Sequence, residues 1–558
     1  MNKDFKNNNK FPKKQGDFKN KTDTGDKPNR VRPDRGSRSD RNDRPNRGNR
    51  PDRGNRPQMH RGDNVDSLEI AKAGDFFEGI VKIVRKSVPG PVVFSVSDGY
   101  KQVDAVTKES HFDVDDVVKL RGPVSDRADK LQIEIVSMDK SDVDFNEILD
   151  KQSKPIDRFF SITSERLVKM RPRMVEIAQK IRKAVLDGQA VMIRHHNDTD
   201  GISSGLALEH SIKILMKKAG INPHYYLYRS TSKAPFYEIT DMLFDIAQAK
   251  RIVDDFGQKK PIMIIADNGS TPEDAFSHQT LHNLGYEVIV IDHHNPTKFA
   301  KEQNGELKTS VCEYLSLHLN PYMFGMDSKT NAGMLCYEIA RLIDKDYDEP
   351  LIPAISAISD RSDIEETEAY IELTGKSREE LTNIGIAIDF TSYNLRFASG
   401  SGVYEEILNN PLMVKMMVEK VFKGMETQLQ STLPYVRTME IKDVVYSNID
   451  LEKYTTRFTY PTPGKVIGMI HDKIVEEYNN HKVLSIGYLS DMLIIRANKP
   501  VLPVATIIEN LQKKFPSANV DGGGHECAGA IKFVSAHKDD ILEEVKVMLN
   551  NLKISEEE

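Results

Sequence analysis

Three short clusters of acidic and histidine residues each follow an apolar run, and this alternation limits the folds open to the chain. The runs are Ala190–Ile193, Ile262–Ala266 and Val288–Ile291, and the clusters are His196–Gly201, Asp267–Gly269 and Asp292–His294. Helical apolar spacing between the runs predicts an α/β fold, with a parallel sheet covered by helices on both faces. The carboxyl ends of neighbouring strands would then bring the three clusters into one crevice.

Length and composition favour a multidomain protein with real cores. The chain has 558 residues, 39% of them hydrophobic, and it contains no continuous apolar stretch of 18 residues. Neither a signal peptide nor a membrane helix is expected. The three cysteines, Cys312, Cys336 and Cys527, have no paired spacing, which favours a reducing compartment over a disulfide framework. We therefore expect a cytoplasmic protein without a membrane partner.

Residues 1–66 form a polar, basic arm. They contain 19 Lys and Arg against 10 Asp and Glu, although the whole chain has a net charge of −6. Because the arm has almost no aliphatic residues to offset ordering entropy, we expect it to be disordered. A repeated Arg-Pro-Asx-Arg-Gly-Asn hexapeptide at 44–49 and 50–55 is compatible with contact to single-stranded nucleic acid or with a solvated tail.

Short β-type runs separated by turn residues predict a small barrel over 70–140. The five predicted strands are Phe76–Val84, Pro91–Val96, Lys101–Thr107, Val117–Leu120 and Leu131–Val136. Five strands in so short a segment fit a barrel of the oligonucleotide-binding (OB) type. Six residues could form a cationic stacking groove on it: Lys82, Arg85, Lys86, Lys101, Phe94 and Tyr100. The alternative is that Phe94 is core and the lysines form an ordinary solvated face.

Four further segments are predicted after the barrel. They are a helical linker at 141–187, a catalytic α/β domain at 188–365, a helical connector at 366–440 and a smaller α/β domain at 441–552. In the last segment, Lys465–Ile470, Lys482–Tyr488 and Met492–Ala497 are predicted strands and Pro503–Phe515 is a predicted helix. In the catalytic domain, the apolar run Ala354–Ile358 leads to Asp360, a fourth acid after a strand-like run.

Carboxylates and imidazoles gathered in this way are typical ligands for divalent cations. In His196-x-Asp198-x-Asp200, alternate residues of an extended turn face the same cavity. Two cations that share a carboxylate, for which Asp267 is the natural candidate, can clamp both oxygens of a phosphoryl displacement. One of the tandem histidines can bind metal, and the next, His294, can face the phosphate as an acid or hydrogen-bond donor.

A glycine-rich segment near the end of the chain suggests an anion site. Gly522, Gly523 and Gly524 precede His525, and residues without a β-carbon let backbone amides approach an anion closely. Arg496 is the natural guanidinium partner for a phosphate. Alone, these residues would be explained by a flexible loop and a surface strand.

Together these motifs resemble the DHH phosphoesterase superfamily and, within it, the RecJ-like single-strand nucleases. Asp292-His293-His294 resembles the name-giving motif, and Gly522–Ala530 is similar to the signature of the DHH-associated substrate-binding domain. The resemblance implies an exonuclease with two divalent cations, Mn²⁺ or alternatively Mg²⁺, acting on an end of single-stranded DNA or RNA. The implied metal ligands are His196, Asp198, Asp200, Asp267, His293 and Asp360. The implied catalytic residues are His294, Asp267 and Asp292, and the implied phosphate-binding residues are Arg496, Gly522, Gly523, Gly524 and His525.

The chain departs from the bacterial members of that family in two ways. Its first motif begins with His196 instead of Asp, and its barrel precedes the catalytic core. Both features look more like the archaeal RecJ-like branch, some members of which associate with the replication complex GINS, so GINS-type partners are implied besides single-stranded nucleic acid. His195 stands beside His196, and either could bind metal.

Two other functions stay open at this point. Related proteins hydrolyse oligoribonucleotides or cyclic dinucleotides, and a RecJ-like scaffold of a replication complex has little catalysis. The barrel and the basic arm favour a longer polymer, and the filled ligand positions favour an enzyme. Polarity and sugar preference are not predicted.

Overall fold

The computed structural model describes residues 62–87, 90–127, 130–232, 234, 236–296, 301–303, 306–395, 398, 400, 402–456 and 459–552. The predicted basic arm therefore lies outside the described residues except for 62–66, which include a short strand. Among the described residues, no helix has both the length and the apolar character needed to cross a membrane.

The described residues begin with a seven-stranded sheet, five strands of which close into a barrel. The strands are β1 (Asn64–Val65), β2 (Phe76–Ser87), β3 (Val92–Ser97), β4 (Gln102–Thr107), β5 (Val117–Arg127), β6 (Lys130–Glu134) and β7 (Ser137–Lys140). The hydrogen-bonded order β2-β3-β4-β6-β5 returns to β2 through an antiparallel β2–β5 pair. Buried and exposed residues alternate along β2 and β5, which gives the barrel its apolar core. The predicted five-stranded barrel is confirmed.

Three of the six residues predicted for the cationic stacking groove of the barrel do not line such a groove, and contact of the barrel with nucleic acid stays a prediction. Lys82 forms ion pairs of 3.1 Å with Asp115 and 2.8 Å with Asp187, and the Arg85 guanidinium donates to the Phe256 carbonyl oxygen at 3.3 Å. The side chain of Phe94 is completely buried. These cations dock the barrel on the neighbouring α/β layers, so they do not line a free groove.

A parallel five-stranded sheet, called the first sheet from here on, follows the barrel. In chain order the elements of this region are α1 (Phe145–Gln152), α2 (Glu165–Leu186), β8 (Val191–His195), α3 (Thr199–Lys218), α4 (Pro223–Tyr226), β9 (Leu227–Thr231), α5 (Ile239–Phe256), β10 (Ile262–Ala266), α6 (Ala275–Asn283), β11 (Val288–Ile291), β12 (Lys301–Gln303), β13 (Glu306–Lys308), β14 (Leu317–Leu319), α7 (Ala332–Ile343) and α8 (Leu351–Ser359). The strand order is β14-β11-β10-β8-β9, and every pair is parallel. β8 and β10 are buried along their whole length, as expected for strands covered on both faces.

The apolar run before Asp360 is helical, so its prediction as strand-like is wrong. Ala354–Ile358 lies within α8, and Asp360 is the residue that caps the C-terminus of this helix. Its carboxylate therefore reaches the sheet edge from a helix end.

Helices connect this sheet to a second, mixed sheet. The elements are α9 (Glu365–Thr374), α10 (Arg378–Leu395), α11 (Val403–Asn409), α12 (Pro411–Thr432), β15 (Arg437–Ile441), β16 (Val444–Asp450), α13 (Leu451–Tyr454), α14 (Pro463–Glu477), β17 (Lys482–Tyr488), β18 (Met492–Ala497), α15 (Val504–Lys514), β19 (Asp521–His525), β20 (Ala528–Lys532) and α16 (Lys538–Asn550). The strand order is β15-β16-β17-β18-β20-β19, in which only β16 and β17 are parallel. The α/β class with two sheets and a preceding barrel is confirmed.

One predicted strand of the second sheet is wrong, because Lys465–Ile470 belongs to α14. The Thr462 side chain caps the helix by accepting from the Lys465 amide, and Pro463 occupies its first turn. Val466, Ile467 and Ile470 are buried on one face with helical spacing. The other predicted elements of this segment are present, and the proposed limits of the domains stay predictions.

Candidate metal centre

The centre forms where the first sheet changes its direction of winding. β9 lies on one side of β8 and β10 on the other, so the crevice at their carboxyl ends is the usual ligand position of an open α/β sheet. Ala266 pairs with both His195 and Ile291 in register. The residues that follow these three strands therefore emerge at one edge, as predicted.

Asp267 lies at the middle of this crevice, and its carboxylate accepts no hydrogen bond among the described residues. It is 1% exposed, and its φ of 57° places it in the left-handed region. His293 Nε2 lies 3.2 Å from its Oδ1, and His196 Nδ1 lies 3.6 Å from its Oδ2. Both carboxylate oxygens are buried without a hydrogen bond from the described part of the chain. A buried carboxylate left in this way is costly, and a divalent cation would remove that cost. The residues therefore fit a metal.

Three groups of potential ligands occur around Asp267, and within each group the ligand atoms lie within 4.8 Å of one another. The groups are His196, Asp198 and Asp267; Asp267, His293 and His294; and Asp200, His293 and Asp360. All six predicted metal ligands are thus brought together. Asp267 and His293 each belong to two groups, and of these two only the carboxylate has two oxygens that two cations could share.

The two acids of the first motif are fixed by helix N-termini. Asp198 caps α3 by accepting a hydrogen bond from the Gly201 amide at 3.0 Å. Asp200 accepts from the Gly333 amide of α7 at 2.7 Å and from Ser356 Oγ at 2.6 Å. Burial, and next the nearby Asp267 carboxylate, raise the pKa of Asp200 well above its usual range. Such an acid gains strongly from a cation beside it.

The tandem histidines are each oriented by a hydrogen bond of the ring Nδ1 atom. His293 Nδ1 donates to the Ser328 carbonyl oxygen at 2.7 Å, which turns Nε2 towards Asp267. His294 Nδ1 lies 2.8 Å from Asp292 Oδ1. Burial opposes protonation of His294, but the Asp292 carboxylate outweighs it and raises the pKa of His294. Asp292 itself lies outside the three ligand groups.

Of the two adjacent histidines, His196 faces the centre and His195 does not. His195 Nδ1 donates to the His196 carbonyl oxygen at 2.7 Å, and its Nε2 accepts from Arg229 at 3.1 Å. Burial, followed by the Arg229 charge, lowers the pKa of His195 to about 3. His195 is therefore a neutral, doubly hydrogen-bonded residue, whereas His196 Nδ1 lies 2.9 Å from Asp198.

Asp360 borders the centre on its solvent side. Its side chain is 34% exposed, and its Oδ2 lies 3.7 Å from His293 Nδ1. Burial on the protein side, opposed by His293 and reinforced by Asp267, raises the pKa of Asp360 to about 6.

The residues predicted to bind phosphate lie in the second sheet. Arg496 is on β18 and pairs in register with Ala528, which in turn pairs with His525 of β19. The three glycines therefore lie in a strand, not in a loop. A β-carbon on Gly522 would approach the Ala530 carbonyl oxygen to 2.3 Å, so glycine is required there. The side chain of His525 lies outside the described residues.

A polar link between the two sheets was missed from the sequence. Lys465 Nζ at the start of α14 donates to Asp389 Oδ2 at 2.7 Å, and Thr199 Oγ1 of the first motif donates to Asp389 Oδ1 at 2.6 Å. Asp389 is separated by 190 residues from Thr199 and by 76 residues from Lys465. No local pattern in the sequence could have indicated it.

Fold and centre together define a class: α/β phosphoesterases with a candidate divalent-metal centre at the carboxyl edge of a parallel sheet. Residues 190–342 match the model of the DHH family, N-terminal domain. An uncharacterized protein of Methanocaldococcus jannaschii is 34% identical over 529 residues, covering 86% of this chain and 69% of the relative. The chain belongs to the DHH family.

Two solved structures are similar to this chain. One, the DHH domain of a member of a family of ribosomal proteins, has 33% identity and a TM-score of 0.69 over 73% of this chain and 97% of that chain. RecJ from Thermus thermophilus in complex with Mn²⁺ has 14% identity and a TM-score of 0.46 over 72% of this chain and 57% of that chain.

Proposed function

We propose that the protein is a metal-dependent phosphodiesterase that hydrolyses single-stranded DNA or RNA from an end. The observation that carries the proposal is the buried Asp267 carboxylate, which lies between His196 and His293, accepts no hydrogen bond from the described residues and belongs to two groups of potential ligands. Mn²⁺, or alternatively Mg²⁺, held there would supply Lewis-acid activation and charge stabilisation at the phosphate. The ligands in this proposal are His196, Asp198, Asp200, Asp267, His293 and Asp360.

The remaining residues of the centre would orient the substrate. The Asp292 carboxylate fixes the His294 ring, and the raised pKa of His294 favours the protonated ring that can donate to a phosphate oxygen. Asp292 therefore acts through His294, as a positioning residue.

The second sheet supports a substrate that extends beyond one phosphate. Within the described residues, the Arg496 guanidinium donates only to main-chain oxygens, of Ile495 at 2.8 Å and Gly464 at 3.5 Å, and forms no ion pair. A half-buried guanidinium without a carboxylate is a suitable partner for a second phosphate. This favours an oligonucleotide over a single phosphoester. Binding of a GINS-type partner stays a prediction.

The test is hydrolysis of single-stranded DNA and RNA, labelled separately at the 5′ and 3′ ends, with Mn²⁺ or Mg²⁺. We expect products that shorten from one labelled end, and complete loss of hydrolysis in Asp267→Ala. Asp254→Ala, a change of an exposed acid on α5, is the matched control and should keep full activity.

Three results would contradict the proposal. Retained hydrolysis in Asp267→Ala would show that the centre is elsewhere. Cleavage restricted to dinucleotides or cyclic dinucleotides would replace the end-trimming activity by the narrower one. A wild-type chain that neither binds Mn²⁺ nor hydrolyses any strand would favour a replication scaffold.

A further inference from the structure

Arg361 follows the candidate ligand Asp360 and has an unusual backbone for an arginine. Its φ is 55°, at the position after a helix end where glycine is favoured. Its amide donates to the Ile358 carbonyl oxygen of α8 at 3.1 Å, which ties Arg361 to the C-terminal turn of that helix. A non-glycine residue held in the left-handed region is strained, and such strain is found frequently at functional sites.

The Arg361 side chain is exposed and has no ion pair or hydrogen bond among the described residues. It differs in this from Arg194, Arg229 and Arg341, each of which lies within 3.5 Å of a carboxylate. An exposed arginine that directly follows a candidate metal ligand and forms no ion pair among the described residues is available to an anion.

A continuous series of contacts leads from Arg361 to Arg496. A β-carbon on Gly385 of α10 would meet Ser359 Oγ at 2.5 Å, so α10 packs directly on the end of α8. Asp389, one turn further along α10, pairs with Lys465 at 2.7 Å. Lys465 follows Gly464, whose carbonyl oxygen accepts from Arg496 Nη2 at 3.5 Å.

These contacts connect the end of α8, which Arg361 follows, to the strand of the second sheet that carries Arg496. Burial lowers the pKa of Arg496, and the charge of Arg361 lowers it further, so the two guanidinium groups are within electrostatic reach of each other. The Asp472 carboxylate opposes this effect on Arg496 but ranks after Arg361. Two neighbouring cations repel each other, and a bound anion would relieve this repulsion.

We propose that Arg361 and Arg496 together bind one phosphate group of the nucleic acid, which then bridges the two sheets. The inference rests on the proposed function and adds Arg361 to it as a substrate-binding residue. Guanidinium groups match phosphate oxygens in paired hydrogen bonds, which a lysine cannot reproduce. The phosphate belongs either to an internal phosphodiester or to a strand end.

The experiment measures binding of a fluorescent 12-nucleotide single strand by the full chain at several salt concentrations. The binding measurements use an Asp267→Asn background, which prevents hydrolysis. In the active protein, which keeps Asp267, the salt dependence of KM with Mn²⁺ gives an independent value of the same slope. Arg361→Gln and Arg496→Gln are compared singly and together. Arg361→Lys tests the geometry of the guanidinium, and Arg251→Gln, an exposed arginine on α5, is the control.

We expect each single Gln variant to bind about tenfold more weakly, with kcat less affected than KM. Because the two arginines neutralise one phosphate, the slope of log K against log salt in the double variant should fall by about 0.7, not by about 1.4. Arg361→Lys should restore only part of the affinity, and Arg251→Gln should match the parent chain.

The ends of the strand identify the phosphate. If the loss in Arg361→Gln requires a 5′- or 3′-terminal phosphate, the site reads that end; if the loss is equal on all strands, it binds an internal phosphodiester. Both results support the proposal.

An unchanged affinity and slope in Arg361→Gln, or a fall of about 1.4 in the double variant, would overturn the shared site while leaving the proposed function intact. If the wild-type chain neither binds nor hydrolyses single strands, both proposals fail.

Discussion

Asp267 and Asp292 follow neighbouring strands of the same sheet and are equally buried, at 1% and 0% exposure, yet their surroundings are opposite. Asp292 accepts from the His293 and His294 amides, from His294 Nδ1 and from the Ser270 amide, over distances of 2.7 to 3.1 Å. Although burial alone would raise it, these donors and the His294 charge hold the pKa of Asp292 below its usual range. Asp267 accepts no hydrogen bond among the described residues.

The difference separates two uses of a buried carboxylate. A carboxylate whose lone pairs are all taken by the protein stabilises the fold and orients its donors. One whose lone pairs are left unused inside the protein is costly without a ligand and is suited to a cation. The DHH motif therefore supplies an acid that orients its neighbours, while the acid on the adjacent strand is the candidate shared ligand.

The largest expected effects come from exchanging each of these acids for its amide. In metal-free buffer, Asp267→Asn should change the free energy of unfolding by less than about 1 kcal/mol, because no hydrogen bond is lost. Asp292→Asn should lower it by about 2–4 kcal/mol, because an amide group would face donors that need an acceptor. Urea unfolding of the two variants and the wild type measures both values.

Metal addition should remove most of the difference in stability between the two variants. Mn²⁺ at about 100 times its Kd should stabilise the wild type by about 2.7 kcal/mol and Asp292→Asn by a similar amount, but Asp267→Asn very little. Hydrolysis should fall about 10³-fold or more in Asp267→Asn. Equal metal stabilisation in both variants would show that Asp267 is not a ligand.

The next effect in size concerns the adjacent histidines. His196→Leu should weaken Mn²⁺ binding by at least about 10- to 100-fold with little loss of stability. His195→Leu should keep metal binding but cost about 1–3 kcal/mol, because Arg229 Nη1 loses its acceptor. Calorimetric titration with Mn²⁺ and thermal unfolding separate the two. Loss of Mn²⁺ affinity in His195→Leu as large as in His196→Leu would reverse the assignment.

Much of the first sheet and its ligands could be predicted from the sequence, because both depend on local patterns. The apolar runs of β8, β10 and β11 are buried on both faces, and the polar residues directly after them are forced to one edge. The alternation of side chains along a strand also separates His195 from His196, but only once the end of β8 is known.

Other parts could not be predicted, for two physical reasons. Over six residues, the apolar pattern of Lys465–Ile470 fits a strand as well as a helix, and only the capping residues Thr462 and Pro463 before it decide the matter. Contacts such as that between Lys465 and Asp389 depend on how separate elements pack, and no short stretch of sequence contains that information. The same holds for Arg361, because its proposed role in binding a phosphate depends on Arg496 in the second sheet.

The smallest expected effect tests a histidine and carboxylate group outside the metal centre. His210 Nδ1 lies 2.8 Å from Glu349 Oε2, and its Nε2 lies 3.5 Å from Glu405 Oε1. Burial disfavours the charged ring, but the two carboxylates outweigh it and raise the pKa of His210 to about 9. This group is stabilised by ion pairs within the protein and lies outside the candidate ligand groups, so its contribution should depend on pH and not on metal.

A raised pKa means that the folded state binds the proton more tightly than the unfolded state, whose ordinary value is 6.5. The stabilisation is therefore complete below about pH 6.5, declines as the pH rises and is lost above about pH 9. Relative to His210→Gln, the wild type should be more stable by about 1–2 kcal/mol at pH 6 and by almost nothing at pH 9.5. Urea unfolding at the two pH values, with exposed His481→Gln as control and with or without Mn²⁺, measures this. A difference that is constant with pH would contradict the raised pKa of His210. A difference that appears only with Mn²⁺ would place His210 with the metal centre and remove the contrast between this group and Asp267.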